Sequence, residues 1–329
     1  MGHIEMHYQN PIRINLKTNA DDRKALIDYC LNEPKQYVAI GWSDVYKWNP
    51  EISDYKTYYH IVEESVRKSH GRLNHALNLL WFVEEGDLFW TRDLDGYYWI
   101  CRAISGPLTL TQAGIKMPVT EEGNSLDIGA VVPVKAYRYG ITVPGAIKAS
   151  FNRAQGGIAE EIRGKLIPEY SQYIYNRLSH SETYQLSLEE LRQKSSENII
   201  DNLPDFELEE LVISYLQIRY NYYLLSNSIA NKSTTIKIEG ELRSRDPKNP
   251  GKAVVQVKGP KIKETLSGNN FKDYLDKGYV VFLYADQHCD ACGLDSMRII
   301  EKKDLQDFYK QYKTVLPESI TDMENLFGN

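Results

Sequence analysis

Residues 233–263 read STTIKIEGELRSRDPKNPGKAVVQVKGPKIK, two β-strands joined by a Pro/Gly turn. Side chains alternate faces along a strand, so Thr235, Lys237, Glu239, Glu241 and Arg243 share one face while Ile236, Ile238 and Leu242 share the other. On the second strand Gln256 and Lys258 share a face, with Val255 and Val257 opposite. Pairing the two strands brings a carboxylate, a carboxamide and an ammonium together, and the preceding helical segment adds Glu210. Cleavage of a phosphodiester asks for this set. Mg2+ (or Mn2+) held by carboxylate and carbonyl oxygens neutralises charge and activates water. A neighbouring lysine orients the water and steadies the developing charge. Glu239 and Glu241 compete for the part of main metal ligand.

The chain is acidic, with a formal net charge of −6, yet residues 232–263 hold nine Lys/Arg against three Asp/Glu, a local balance of +6. A basic hairpin on an acidic protein suits contact with a polyanion, and a solvated surface hairpin is the competing reading. Lys237, Arg243, Arg245, Lys261 and Lys263 are the candidates for gripping a nucleic-acid backbone.

Residues 205–285 resemble the PD-(D/E)xK restriction-endonuclease-like superfamily, in its Mrr-like form with a Q-x-K motif. The resemblance implies an α/β nuclease domain with an acid on a helix, an acid on a strand, and then Gln-x-Lys. Carried onto this chain, the helix acid is Glu210, the strand acid Glu239, and the motif Gln256-Val257-Lys258. Glu239, Glu210 and Gln256 are then the expected metal ligands, with Lys258 at the water. The family's strand acid is most often Asp, one methylene shorter than the Glu found here.

All five tryptophans (Trp42, Trp48, Trp81, Trp90 and Trp99) fall between residues 37 and 145. The segments AIGW, NHALNLLWFVEEGDLFWTRDLDGYYWICRAISGP and VPVKAYRYG resemble the PUA-like superfamily, particularly its EVE-like members. That resemblance implies a small β-barrel whose aromatic pocket accepts an extruded, modified base. An aromatic wall returns ~1–3 kcal/mol of the stacking lost on extrusion. Trp42, Trp81 and Trp90 are the candidate wall, and Asn78, Asp87 and Asp93 the candidate readers of the base edge. Packing in the core competes for each tryptophan, and turn formation competes for Asp87.

These residues need elements to hold them. Helical spacing predicts a helix over 21–32 and two more within 54–85, and YVAIGW predicts a strand over 37–42. The aromatic-rich runs around DLDG predict a hairpin. Residues 146–200 read as polar and helical, with Ser187 before Glu190 as a capping box. An amphipathic helix over 205–225, the two strands, a helix at NNFKDYLDKG, a buried strand at YVVFLYA and a helix at EKKDLQDFYKQY complete the chain. The expected organisation is α+β and α/β: a PUA/EVE-like barrel domain over 1–145, a helical connector over 146–200, and a nuclease-like domain over 201–329.

At 329 residues, 42% apolar and 26% charged, the chain suits two or three soluble domains. No 18-residue apolar run predicts a membrane span, and MGHIEMHYQNPIRINL lacks a signal-peptide core. Four cysteines (Cys30, Cys101, Cys289 and Cys292) fit a reduced, cytoplasmic protein. Cys289-x-x-Cys292 beside His288 has zinc-ligand spacing, but a closed site needs four ligands; a loop with small buried cysteines is the plainer reading. The function expected is modification-dependent DNA cleavage in antiphage defence, by a homodimer with no membrane partner. A non-catalytic nucleic-acid sensor and an RNA-directed enzyme are the alternatives.

Overall fold

A computed structural model describes residues 10–70, 75–152, 157–194, 198–229, 238–259, 265–286 and 288–327. The chain is mixed α+β and divides into two compact units, the first ending at Leu186 and the second opening at Ser187.

The first unit is built on one curled sheet. Its strands are β1 (Ile12–Ile14), β2 (Gln36–Ile40), β3 (Leu88–Arg92), β4 (Tyr98–Ala103), β5 (Leu108–Thr109), β6 (Ala130–Gly140) and β7 (Ala159–Glu161). Their order is β2-β6-β4-β3-β1-β7, with β5 also on β6. The DLDG hairpin forms as expected. Asp93 Oδ1 accepts from the Tyr97 N–H at 2.8 Å, and Gly96 takes a φ of 88° that only glycine adopts freely.

Both faces of this sheet are covered, and so β3 is buried at four consecutive positions instead of alternating. Phe89, Cys101 and Ala136 face a core shared with the helices over Arg23–Leu31, Tyr55–His70 and His75–Trp81. On the opposite face Tyr98 meets Phe151 of the helix Gly145–Asn152, and Trp90 stacks on Tyr170 of the helix Ile167–Ser179. The residues expected to be a connector over 146–200 are therefore divided. Those up to 186 cover the sheet of the first unit, and the rest open the second. Ser187 does cap its helix: its Oγ accepts from the Glu190 N–H at 3.3 Å.

The second unit holds a five-stranded sheet ordered β14-β12-β10-β9-β8. The strands are β8 (Tyr222–Leu224), β9 (Gly240–Ser244), β10 (Lys252–Val257), β12 (Tyr279–Tyr284) and β14 (Met297–Ile299), while β11 (Leu266–Ser267) and β13 (Cys289–Asp290) form a separate ribbon. β8, β9 and β10 run antiparallel in turn, and β12 and β14 continue parallel to β10.

The helix Asp205–Arg219 opens with Asp205 and Glu207 in its first turn, where the helix dipole favours acids. Leu208, Leu211, Val212, Tyr215 and Leu216 form its buried stripe. It stops short of the expected 225 because Asn221 takes a left-handed φ of 56°, after which Tyr222 enters β8. The strand expected from 234 is seen from Gly240, residues 238 and 239 leading into it; its start lies outside the described residues. No helix among the described residues is long and apolar enough to cross a membrane.

Candidate functional site

The β9–β10 register sets Gly240 opposite Val255 and Glu241 opposite Val254. The ladder continues one step further, the Glu239 N–H donating to the Val255 carbonyl at 2.7 Å. Glu239 and Gln256 therefore share a face, and Gln256 Nε2 donates to Glu239 Oε1 at 2.7 Å. A carboxylate only accepts, so the amide nitrogen must face it and the carbonyl oxygen must turn away. That oxygen, Gln256 Oε1, is buried with no hydrogen-bond partner among the described residues, on a side chain only 2% exposed. An orphaned buried acceptor costs ~1–3 kcal/mol. A hard cation would supply what it lacks.

Lys258 follows on the same face. Its N–H donates to the Tyr284 carbonyl of β12 at 2.8 Å, and its half-exposed ammonium forms no ion pair among the described residues. Glu241 is engaged elsewhere. Its Oε1 takes an ion pair from Arg243 at 2.7 Å and a hydrogen bond from the Tyr279 hydroxyl at 3.0 Å. Of the two competing glutamates, Glu239 meets Gln256.

Glu210 is exposed on its helix, whereas Glu207, one turn nearer the N-terminus, is 2% exposed. The helix packs on β10, and its first turn reaches the strand's C-terminal end. A Cβ added to Gly259 would stand 2.2 Å from Asp205 Oδ1. Glu207 is thus the acid of this helix that is buried, and the sequence reading did not single it out. Its signal was available: it lies one position before the apolar stripe begins at Leu208, and four before Leu211 on the same face. Among the described residues no three His, Cys, Asp or Glu side chains converge as a metal cluster. A carboxylate, a carboxamide oxygen and waters still suit Mg2+, which keeps part of its hydration shell.

Of the backbone-gripping candidates, Arg243 lies on β9 and Arg245 is exposed at the start of the turn. Lys237, Lys261 and Lys263 lie outside the described residues.

The two cysteines of the motif have different neighbours. Cys289 lies opposite Leu266 and packs on the core, its thiol pushed up to about 11 by burial. Cys292 Sγ lies instead 3.3 Å from Ser267 Oγ and accepts from Asn269 Nδ2 at 3.2 Å. Neighbouring residues of a strand face opposite ways, so the Leu266–Cys289 side and the Ser267 side differ. His288 is exposed.

In the first unit the expected pocket residues take different environments. Trp90 is fully buried, its Nε1 donating to Ser171 Oγ at 2.9 Å, and serves as core. Trp81 packs among Tyr55, Tyr59 and His60, and Asn78 Oδ1 accepts from the Tyr59 hydroxyl at 3.4 Å. Asp87 Oδ2 closes a turn by accepting from the Glu84 N–H, and burial raises its carboxyl above the usual range. Asp93 holds the hairpin and accepts from Trp99 Nε1 at 2.9 Å.

Trp42 lines a pocket of about 320 Å3 with Asn15, Lys17, Thr18, Asn19 and Asp127. Trp42 sits at a left-handed φ of 66°, a strain of roughly 1–3 kcal/mol for a non-glycine residue. Its neighbours hold it there. Asp127 Oδ1 accepts from the Ser43 N–H at 3.0 Å and the Ser43 hydroxyl at 2.6 Å, and the Tyr58 hydroxyl donates to the Gly41 carbonyl at 2.7 Å. Asp127 Oδ2 also accepts from the Asn19 N–H at 3.0 Å, so one carboxylate ties both walls. Nothing in the spacing of Asp127 relative to Trp42 signalled this; the chain brings them together across 85 positions. No protein family, curated protein or solved structure matches this chain.

Proposed function

We propose that the protein is a modification-dependent endonuclease whose second unit hydrolyses DNA phosphodiesters with Mg2+ or Mn2+. The observation that carries this reading is the Glu239–Gln256 contact, with the orphaned Gln256 Oε1 beside it and Lys258 next on the same face. Glu239 and Gln256 would hold the ion, and Glu207 takes the place of Glu210 as the helix acid. When bound, the ion neutralises phosphate charge and acidifies a water. Lys258, unpaired among the described residues, orients that water and balances the negative charge that builds on the phosphate. The order of helix 205–219, three antiparallel strands, a helical crossing and a parallel strand supports the same reading.

The first unit would read the base, and the pocket beside Trp42 replaces the larger set of tryptophans expected from sequence. An indole wall with amides from Asn15 and Asn19 suits a planar base with hydrogen-bonding edges. A double-strand break needs two such sites, hence a homodimer, in a cytoplasmic defence role.

The test is cleavage with Mg2+ or Mn2+ of unmodified DNA and of DNA carrying 5-methyl-, 5-hydroxymethyl- or glucosylated cytosine. Selective cutting, lost in Glu239→Ala and Lys258→Ala, supports the proposal. Binding of modified DNA without cutting would favour a sensor, and cutting of matched RNA alone an RNA-directed enzyme.

A further inference from the structure

Lys302 Nζ stands between two carboxylates, 2.6 Å from Asp201 Oδ1 and 2.9 Å from Asp286 Oδ1, with each of the three side chains between 24% and 28% exposed. The three groups come from three elements. Asp201 lies on the helix Ile199–Asn202, Asp286 follows the end of β12, and Lys302 opens the helix Lys302–Tyr312. Water screens a partly buried ion pair less than a surface one. One acid on the ammonium would tie two elements; two acids tie all three.

The backbone on either side shows what this tie holds. β12 ends at Tyr284, and the Tyr284 carbonyl accepts the Lys258 N–H at 2.8 Å. Two residues on, Asp286 takes a left-handed φ of 48°, which Asp adopts more readily than most residues but which still needs support. Across that turn the His288 N–H donates to the Ala285 carbonyl at 2.8 Å, and the His288 carbonyl accepts from the Leu266 N–H at 2.7 Å. The chain therefore leaves the site at Lys258 and returns at Leu266, with both points fastened to the turn that Lys302 pins through Asp286. On the other side, Asp201 leads through Leu203 and Pro204 into the helix Asp205–Arg219. The first turn of that helix carries Glu207 and sets Asp205 Oδ1 against Gly259, where a Cβ would stand. One ammonium thus joins the backbone that bears Lys258 to the helix that bears Glu207. Lysine is a point charge on a flexible four-carbon stem, so the Lys258 ammonium is aimed only as well as its backbone is held.

We propose that Lys302 is a positioning residue for the nuclease site. Through Asp286 and Asp201 it keeps the end of β12, and with it Lys258, in register with the first turn of the helix over 205–219. The proposal rests on the nuclease reading and adds what holds its parts together. The spacing of positions 201, 286 and 302 does not mark them as a group; the fold alone brings them to one point.

The test pairs cleavage kinetics with amide exchange in the full chain. Lys302→Met removes the charge and keeps the length of the side chain. It should lower kcat about 10- to 100-fold while KM stays within about twofold, as misplacing a reacting group does. Lys302→Arg, which can also bridge two carboxylates, should return kcat to within about threefold of wild type. Asp201→Asn leaves the Lys302–Asp286 pair whole and should lower kcat about three- to tenfold, which keeps the test open where Lys302→Met folds poorly. In Lys302→Met the Lys258 and Leu266 amides should exchange at least about tenfold faster, while the Ser244 amide, bonded to the Gly251 carbonyl at the far end of the hairpin, keeps its rate. Equal acceleration of all three amides would mean a general loss of stability and would overturn the positioning role. Unchanged kcat in a folded Lys302→Met protein, with cutting still lost in Glu239→Ala and Lys258→Ala, would overturn that role and keep the nuclease. A wild-type chain that does not cut DNA would overturn both.

Discussion

Gln256 Nε2 donates to Glu239 Oε1 at 2.7 Å, and this contact leaves the Gln256 carbonyl oxygen buried without a partner among the described residues. The pair tests itself through Gln256→Glu. Two carboxylates would then face each other, and the folded state would raise the pKa of one of them. A carboxyl group whose folded pKa lies above its unfolded value loses stability as pH rises between the two. The variant should therefore be less stable at pH 8 than at pH 5, by about 1–3 kcal/mol relative to wild type, and millimolar Mg2+ should restore part of the loss at pH 8. Thermal unfolding with and without Mg2+ measures this. Equal stability at both pH values would place the two side chains apart.

Cleavage kinetics separate the acids. Glu239→Ala and Glu207→Gln should lower the rate at least about 100-fold, the scale of a few kcal/mol of lost charge stabilisation. Glu210→Ala, on an exposed position, should stay within about fivefold of wild type. If Glu210→Ala were the inactive variant, the assignment of the helix acid would reverse.

The tryptophans of the first unit should split into two behaviours. Trp90→Ala opens a void at a fully buried site and abandons Ser171, costing ~3–5 kcal/mol in urea unfolding. Trp42→Ala should cost under about 1 kcal/mol while abolishing preference for modified DNA, because its indole lines the pocket. Modified-base preference that survives Trp42→Ala would move the reader elsewhere.

Thiol alkylation at pH 8 reports the cysteine environments. Burial pushes Cys30 up to about 12 and raises Cys101 as well, and both are fully buried. Cys289 is half-buried with its thiol near 11. Cys292 should therefore label first with iodoacetamide, Cys289 more slowly, and Cys30 and Cys101 only on unfolding. Mass mapping of the labelled peptides gives the order, and simultaneous protection of Cys289 and Cys292 by zinc would restore the zinc reading.

Much of this protein is written in short-range pattern. The apolar run from Ala253 to Val257, the Asp93–Gly96 turn and the stripe from Leu208 to Leu216 each follow from neighbouring residues, because period and turn chemistry are local. The same locality put Glu239 and Glu241 on one face of their strand and Gln256 and Lys258 on one face of theirs, so the candidate site was legible as a set of residue types. Which member does what was decided elsewhere. Tyr279 arrives from a parallel strand and donates to Glu241, and the docking of the helix over 205–219 buries Glu207 while Glu210 faces water. Trp90 is core only because a helix residue 81 positions later, Ser171, meets its indole nitrogen, and Trp42 lines a pocket only because Asp127 ties both of its walls. Strand faces depend on the next residue and are fixed by the sequence at short range; partners and burial depend on pairings far apart along the chain, which the tertiary structure alone sets.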